Sequence, residues 1–117
     1  MGMLDQETRE KLEARLLDEI ADAEERVMEL EASTAPIAPD KALGRLTRLD
    51  AMQDKSVREA ALVETRKRLS GLELALTKVW SNDFGRCVSC EEGIGLERLV
   101  ALPESTQCVA CAEKRGA

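Results

Sequence analysis

The chain has 117 residues, room for one modest domain or for an elongated helical element joined to a mini-domain. Charged residues make up 34% of it and aromatics only 2%, with one Trp, one Phe and no Tyr, which suits long solvated helices better than a compact globule. The net charge of −6 argues against wrapping DNA or RNA, which needs clustered basic surface, and so few aromatics leave no stacking platform for single strands.

No apolar run approaches the ~20 residues of a membrane span. The N-terminus is acidic and amphipathic, without the basic and apolar regions of a secretory signal. A cytoplasmic protein is expected.

From Asp5 to about Ala32 the sequence reads as one helix. Leu16, Ile20, Ala23, Val27 and Leu30 recur at alternating spacings of four and three, the a/d seam of a coiled coil. The many charges between them, Arg9 and Arg15 included, read as a solvated face. Ser33 to Asp40, with Pro36 and Pro39, interrupts the helix and turns the chain back, and Asp40 is placed to cap the next helix. This second helix is expected from about Lys41 to Trp80, on the order of 60 Å long if unbroken. Its later half carries a seam of Leu62, Leu69, Leu72, Leu76 and Val79. Its earlier half is looser, with Leu43, Leu46, Leu49, Met52, Val57 and Ala60, and Gly44 and Gly71 weaken it locally. The second helix outlasts the first, so its excess needs a cover. Trp80 and Phe84, at the junction with the C-terminal module, are expected to pack that module against the helix.

The module holds all four cysteines as two C-x-x-C pairs, Cys87 with Cys90 and Cys108 with Cys111, with seventeen residues between the pairs. The spacing is that of a four-cysteine zinc site. Two residues between cysteines let a tight knuckle aim both thiolates at one ion, and a second knuckle completes the tetrahedron. Four thiolates leave no position open for water, so the zinc is structural. Gly93 and Gly95 come after the first knuckle, where positive φ or close backbone approach is easiest for glycine. Leu99 to Leu102 is expected as a short strand stopped by Pro103, and the residues after Cys111 as part of a short C-terminal helix. Disulfides, a redox C-x-x-C and an iron–sulfur cluster are the competing uses of these cysteines.

The fold expected is therefore mainly α: an antiparallel coiled-coil helical hairpin over 1–82, its tip at about 33–50, continued over 83–117 by a four-cysteine zinc finger with a short C-terminal helix.

The finger run DFGRC-x-x-C, then GIGLERL, then Ala-Leu-Pro and C-x-x-C, resembles the DksA/TraR family of bacterial transcription regulators, the DnaK suppressor proteins. The stretch GRLTRLDAMQ, Gly44 to Gln53, also looks like part of the shorter members. The resemblance implies a protein partner, RNA polymerase, approached through its secondary channel with the hairpin tip near the catalytic magnesium and without reading DNA. Well-studied members carry Asp-x-x-Asp-x-Ala at the tip. Here only Asp50 fits that pattern, with Asp40 and Asp54 as other acids near it. Members that respond to ppGpp carry basic residues where this chain has Leu102 and Ala112, so little or no ppGpp synergy is expected. Two other functions compete: an adaptor binding a different protein, and a thiol-based redox sensor. With no His and no Gly-rich phosphate loop, an enzyme is not expected.

Overall fold

The structure, a computed structural model, describes residues 4–33 and 45–116. The turn expected over 33–40 and the start of the second helix, Asp40 included, lie almost wholly outside the described residues.

Helix α1 spans Gln6–Ser33 and begins where its sequence provides a cap. The Thr8 amide, one of those a helix start leaves orphaned, donates to Asp5 Oδ1 at 2.8 Å, and the Arg9 amide makes the first intrahelical bond, to the Asp5 carbonyl at 3.0 Å. Hydrogen bonding from the side chain and the amide of Thr8 holds the Asp5 carboxyl below its usual range.

Helix α2 spans Arg45–Lys78 and runs unbroken through Gly71. Its last turn carries Lys78, the sign that suits a helix C-terminus. It stops two residues short of the expected Trp80; the Ser81 amide donates to the Lys78 carbonyl at 2.8 Å and turns the chain away. In this antiparallel hairpin the first turns of α1 meet the last turn of α2, and Glu31 near the end of α1 pairs with Arg66 in the middle of α2.

The chain forms two compact units, Met1–Ala21 with Ser70–Ala117, and Asp22–Leu69. These units cut across both long helices, whereas the division at 82/83 keeps to the order of the chain. The first unit contains Leu12 and Leu16 of α1, Leu72 and Ala75 of α2, and Val79, Phe84, Cys87, Ile94, Leu99 and Pro103 beyond them, all buried. A fully buried Leu or Phe contributes about 1.5–3 kcal/mol, so this core dominates the unit's stability. Among the described residues of the second unit the seam is thinner. Ala23, Leu30 and Leu62 are buried and Val27 and Leu69 half-buried, while Leu49, Met52, Val57 and Val63 are exposed. The described part of the loose N-terminal half of α2 therefore stays uncovered.

The finger contains two further helices, α3 (Leu96–Ala101) and α4 (Val109–Gly116). Helix α4 meets the expectation. Helix α3 corrects the strand expected at Leu99 to Leu102. The Leu99 amide donates to the Gly95 carbonyl at 3.1 Å and the Leu102 amide to that of Arg98 at 2.7 Å, so the backbone is satisfied locally. No strand runs beside it: among the described residues the sole β-type pairing is the antiparallel bridge between Arg86 and Gly93. Four apolar residues in a row carry no period that would separate the two states, and local hydrogen bonding decided for a helix.

Candidate functional site

The first knuckle is built by backbone hydrogen bonds that fold 85–94 into a tight loop. The Cys87 amide donates to the Glu92 carbonyl at 2.8 Å, the Ile94 amide to Gly85 at 2.8 Å, and the Glu91 amide back to Cys87 at 2.9 Å. Gly85 has φ 88°, and a Cβ there would stand 3.3 Å from Leu4 Cδ1 and 3.4 Å from Leu99 Cδ1, so glycine is required twice over. Gly95 has φ 104° as expected, but Gly93 does not have positive φ; the third left-handed residue is Glu91, at 66°. The Val88 amide donates to the Thr106 carbonyl at 2.9 Å, bringing the chain before the second knuckle alongside the first.

These turns gather the sulfurs of Cys87, Cys90, Cys108 and Cys111 within 4.8 Å of one another, with 3.8 Å between the Cys90 and Cys108 sulfurs. Sulfurs bound at ~2.3 Å to one tetrahedral zinc lie about 3.8 Å apart, so the donor set fits the ion in number, chemistry and spacing. Cys87 is buried and Cys90 is exposed, with the other two between. Backbone hydrogen bonding from Cys108, then Cys90, draws the Cys87 thiol down to about 6, and the Ser89 amide points at its sulfur from 3.4 Å. Cys111 goes the other way, to about 12, because hydrogen bonding from the Cys108, Cys87 and Cys90 side chains favours its neutral thiol. Cys90 is also raised: the Glu92 amide favours its thiolate, but burial and the neighbouring thiols outweigh it. A divalent ion supplies positive charge, and the four cysteines form a site for one structural zinc.

Three polar side chains brace the site. Arg98 donates through Nε to the Gln107 carbonyl at 2.8 Å, and Gln107 donates through Nε2 to Ser89 Oγ at 2.8 Å, joining α3 to both knuckles. Arg15 on α1 donates through Nε to the Val100 carbonyl of α3 at 3.1 Å. The largest departure from expectation is Arg9. Read as one of the solvated charges, it is only 8% exposed, and its guanidinium donates to the carbonyls of Val79 at 2.6 Å, Ser81 at 2.8 Å and Leu4 at 3.2 Å. A signal for it is present in the sequence: position 9 lies one heptad before Leu16, in the same register as Ala23 and Leu30. Phe84 is buried as expected of the junction aromatics. Trp80 is not; it is 47% exposed, and its indole N–H donates to Glu13 Oε2 at 3.2 Å.

The tip acids fare differently from the cysteines. Asp50 and Asp54 sit one turn apart on α2, both exposed, and Asp40 lies outside the described residues. Leu102 is exposed and Ala112 half-buried, neither offering a cation.

Fold and site define a helical-hairpin protein completed by a structural four-cysteine zinc finger. The profile of the prokaryotic dksA/traR C4-type zinc finger matches residues 82–115. Two RNA polymerase-binding transcription factors called DksA show the same likeness. The Escherichia coli K12 protein is 44% identical over 46 residues, 39% of this chain and 30% of its own length. The Buchnera aphidicola protein is 40% identical over 47 residues, 40% of this chain and 31% of its own. The chain thus spans about a third of the curated relatives it matches. Across 96% of the chain, the fold is similar to transcription factor DksA2 from Pseudomonas aeruginosa, with a TM-score of 0.75, 23% identity and 85% of that structure covered. The likeness to the DksA/TraR family is thus carried by the finger, over residues 82–115. No described helix is long and apolar enough to cross a membrane.

Proposed function

We propose that the protein is a cytoplasmic regulator of transcription that binds bacterial RNA polymerase through its secondary channel and modulates initiation. The observation that carries this reading is the DksA/TraR-type finger, whose four sulfurs converge within 4.8 Å at the base of an antiparallel hairpin. In this reading the zinc is a clamp rather than a catalyst, the hairpin is the probe, and no reaction is catalysed. Asp50 is the working acid, with Asp54 one turn behind it and Asp40 near the tip. A carboxylate carried to a catalytic magnesium or its basic surroundings would interact strongly there. Lacking cations at Leu102 and Ala112, the finger has no phosphate contact at those positions, which supports weak or absent ppGpp synergy.

The test is binding of the zinc-loaded protein to purified polymerase, competed by a secondary-channel factor, with Asp50→Asn in parallel. Competed binding, with the transcriptional effect lost but binding kept in the variant, supports the reading. Absence of binding at micromolar concentrations contradicts it. An adaptor for another protein is the second reading, favoured by a single observation: the tip keeps only Asp50 of the family's acidic pattern.

A further inference from the structure

Arg9 stands where three segments meet. Its Nη1 donates to the Val79 carbonyl, just past the end of α2, and to the Ser81 carbonyl in the junction to the finger; its Nε donates to the Leu4 carbonyl ahead of α1. The planar guanidinium holds Nε and Nη1 in a rigid fork that spans these acceptors, whereas the lysine ammonium is a single point of charge on a flexible stem. The Ser81 carbonyl also accepts the Phe84 amide at 3.3 Å, and Phe84 is buried three residues before the Cys87 ligand. A short covalent and hydrogen-bonded path therefore runs from the metal centre through Phe84 and Ser81 to Arg9 and the first turns of α1. Two weaker ties flank it on the same helix, Glu13 to Trp80 and Arg15 to Val100.

We propose that Arg9 is a positioning residue that makes zinc binding by the finger and closure of α1 onto the end of α2 one cooperative event. The physical reason is the cost of a buried cation. While the junction is ordered, three carbonyls replace the water that the guanidinium has lost. When the finger unfolds, the Ser81 carbonyl is no longer fixed, the buried charge is under-satisfied, and α1 leaves the base so that Arg9 can rehydrate. Coupling of this kind is reciprocal: what zinc does for the α1 contact, the α1 contact does for zinc. The inference rests on reading the finger as a structural zinc module.

The chain's only tryptophan, Trp80, sits in this joint, so its emission reports closure while a chromophoric chelator reports zinc. The experiment titrates the full zinc-loaded chain with the chelator. In the parent, zinc loss and the Trp80 red shift are expected to coincide. In Arg9→Met, which keeps bulk and removes the donors, zinc should be held on the order of tenfold more weakly, the size expected for lost charge-assisted hydrogen bonds. Its emission should already be red-shifted with zinc present. Glu13→Gln, which weakens the Trp80 contact and leaves Arg9 alone, should shift the emission without changing zinc affinity. Parental zinc affinity in Arg9→Met overturns the proposal. Should that variant lose its helices, Arg9→Lys decides: weakened zinc supports the role of the fork, and parental affinity with parental emission overturns it. A parent chain that takes up no zinc would instead overturn the reading of the finger itself.

Discussion

The finger-bearing unit and the Asp22–Leu69 unit use the same two helices and are stabilised in different ways. In the first, a core of leucines, Phe84 and Pro103 is reinforced by arginines that reach backbone carbonyls 70, 72 and 85 residues away in sequence. In the second, the seam among the described residues is narrow, Ala23, Leu30 and Leu62, and is joined by surface ion pairs such as Glu31 with Arg66, and such pairs contribute little. The contrast teaches that a hairpin's secondary structure can be uniform while its tertiary anchoring is concentrated at one end. Asp50 lies on the exposed surface of this second unit.

The sharpest way to break this contrast is to remove a ligand. Cys87→Ser takes away the most buried thiol, so zinc uptake should be abolished and the finger's amide signals should collapse in NMR spectra. Signals from Asp22–Leu69 should persist, and their collapse alongside the finger would count against two differently held units. Next comes core truncation. Leu72→Ala should cost about 2–5 kcal/mol in denaturant unfolding, because Leu72 is fully buried. Met52→Ala, at a residue 53% exposed, should stay within about 0.5 kcal/mol. Equal costs would erase the difference between the regions.

A smaller effect lies in the backbone of the first knuckle. Glu91→Gly relieves a left-handed residue and should stabilise the zinc-loaded finger by up to about 1 kcal/mol, seen as a higher melting temperature; an unchanged or lower value would show that Glu91 is not strained. Smallest is the pH response of the cap. The folded Asp5 pKa lies below its unfolded value of 3.8, so its contribution is fully present above that value and is lost as pH falls through the lower folded pKa. Hydrogen exchange at the start of α1 should therefore show extra fraying only under strongly acidic conditions, and Asp5→Ala should remove that pH dependence.

Much of this architecture is legible in the sequence, for identifiable reasons. Cysteine spacing reports a metal site directly, because two intervening residues set the geometry of a knuckle. Both seams are legible from their period, and Leu16, Leu30, Leu72 and Val79 are buried as that period requires. Leu99 to Leu102 reads as a strand and is not one, because α3 is only six residues long, too short to display a helical period. The register of Arg9 with Leu16 signals its burial, but what Arg9 and Arg15 bind is hidden because their acceptors are carbonyls, which every residue carries and no side chain announces. Asp50 can be named from resemblance, but exposure on α2 does not distinguish a working acid from a solvated one.

We propose above that this hairpin enters the polymerase channel and carries Asp50 toward the catalytic magnesium. The direct measurement replaces the polymerase's catalytic magnesium with ferrous iron and maps where the radicals it generates cut the bound chain. Cuts within about one helical turn of Asp50 are the predicted result. A bound chain left intact there, or cut only in its finger, would contradict the claim.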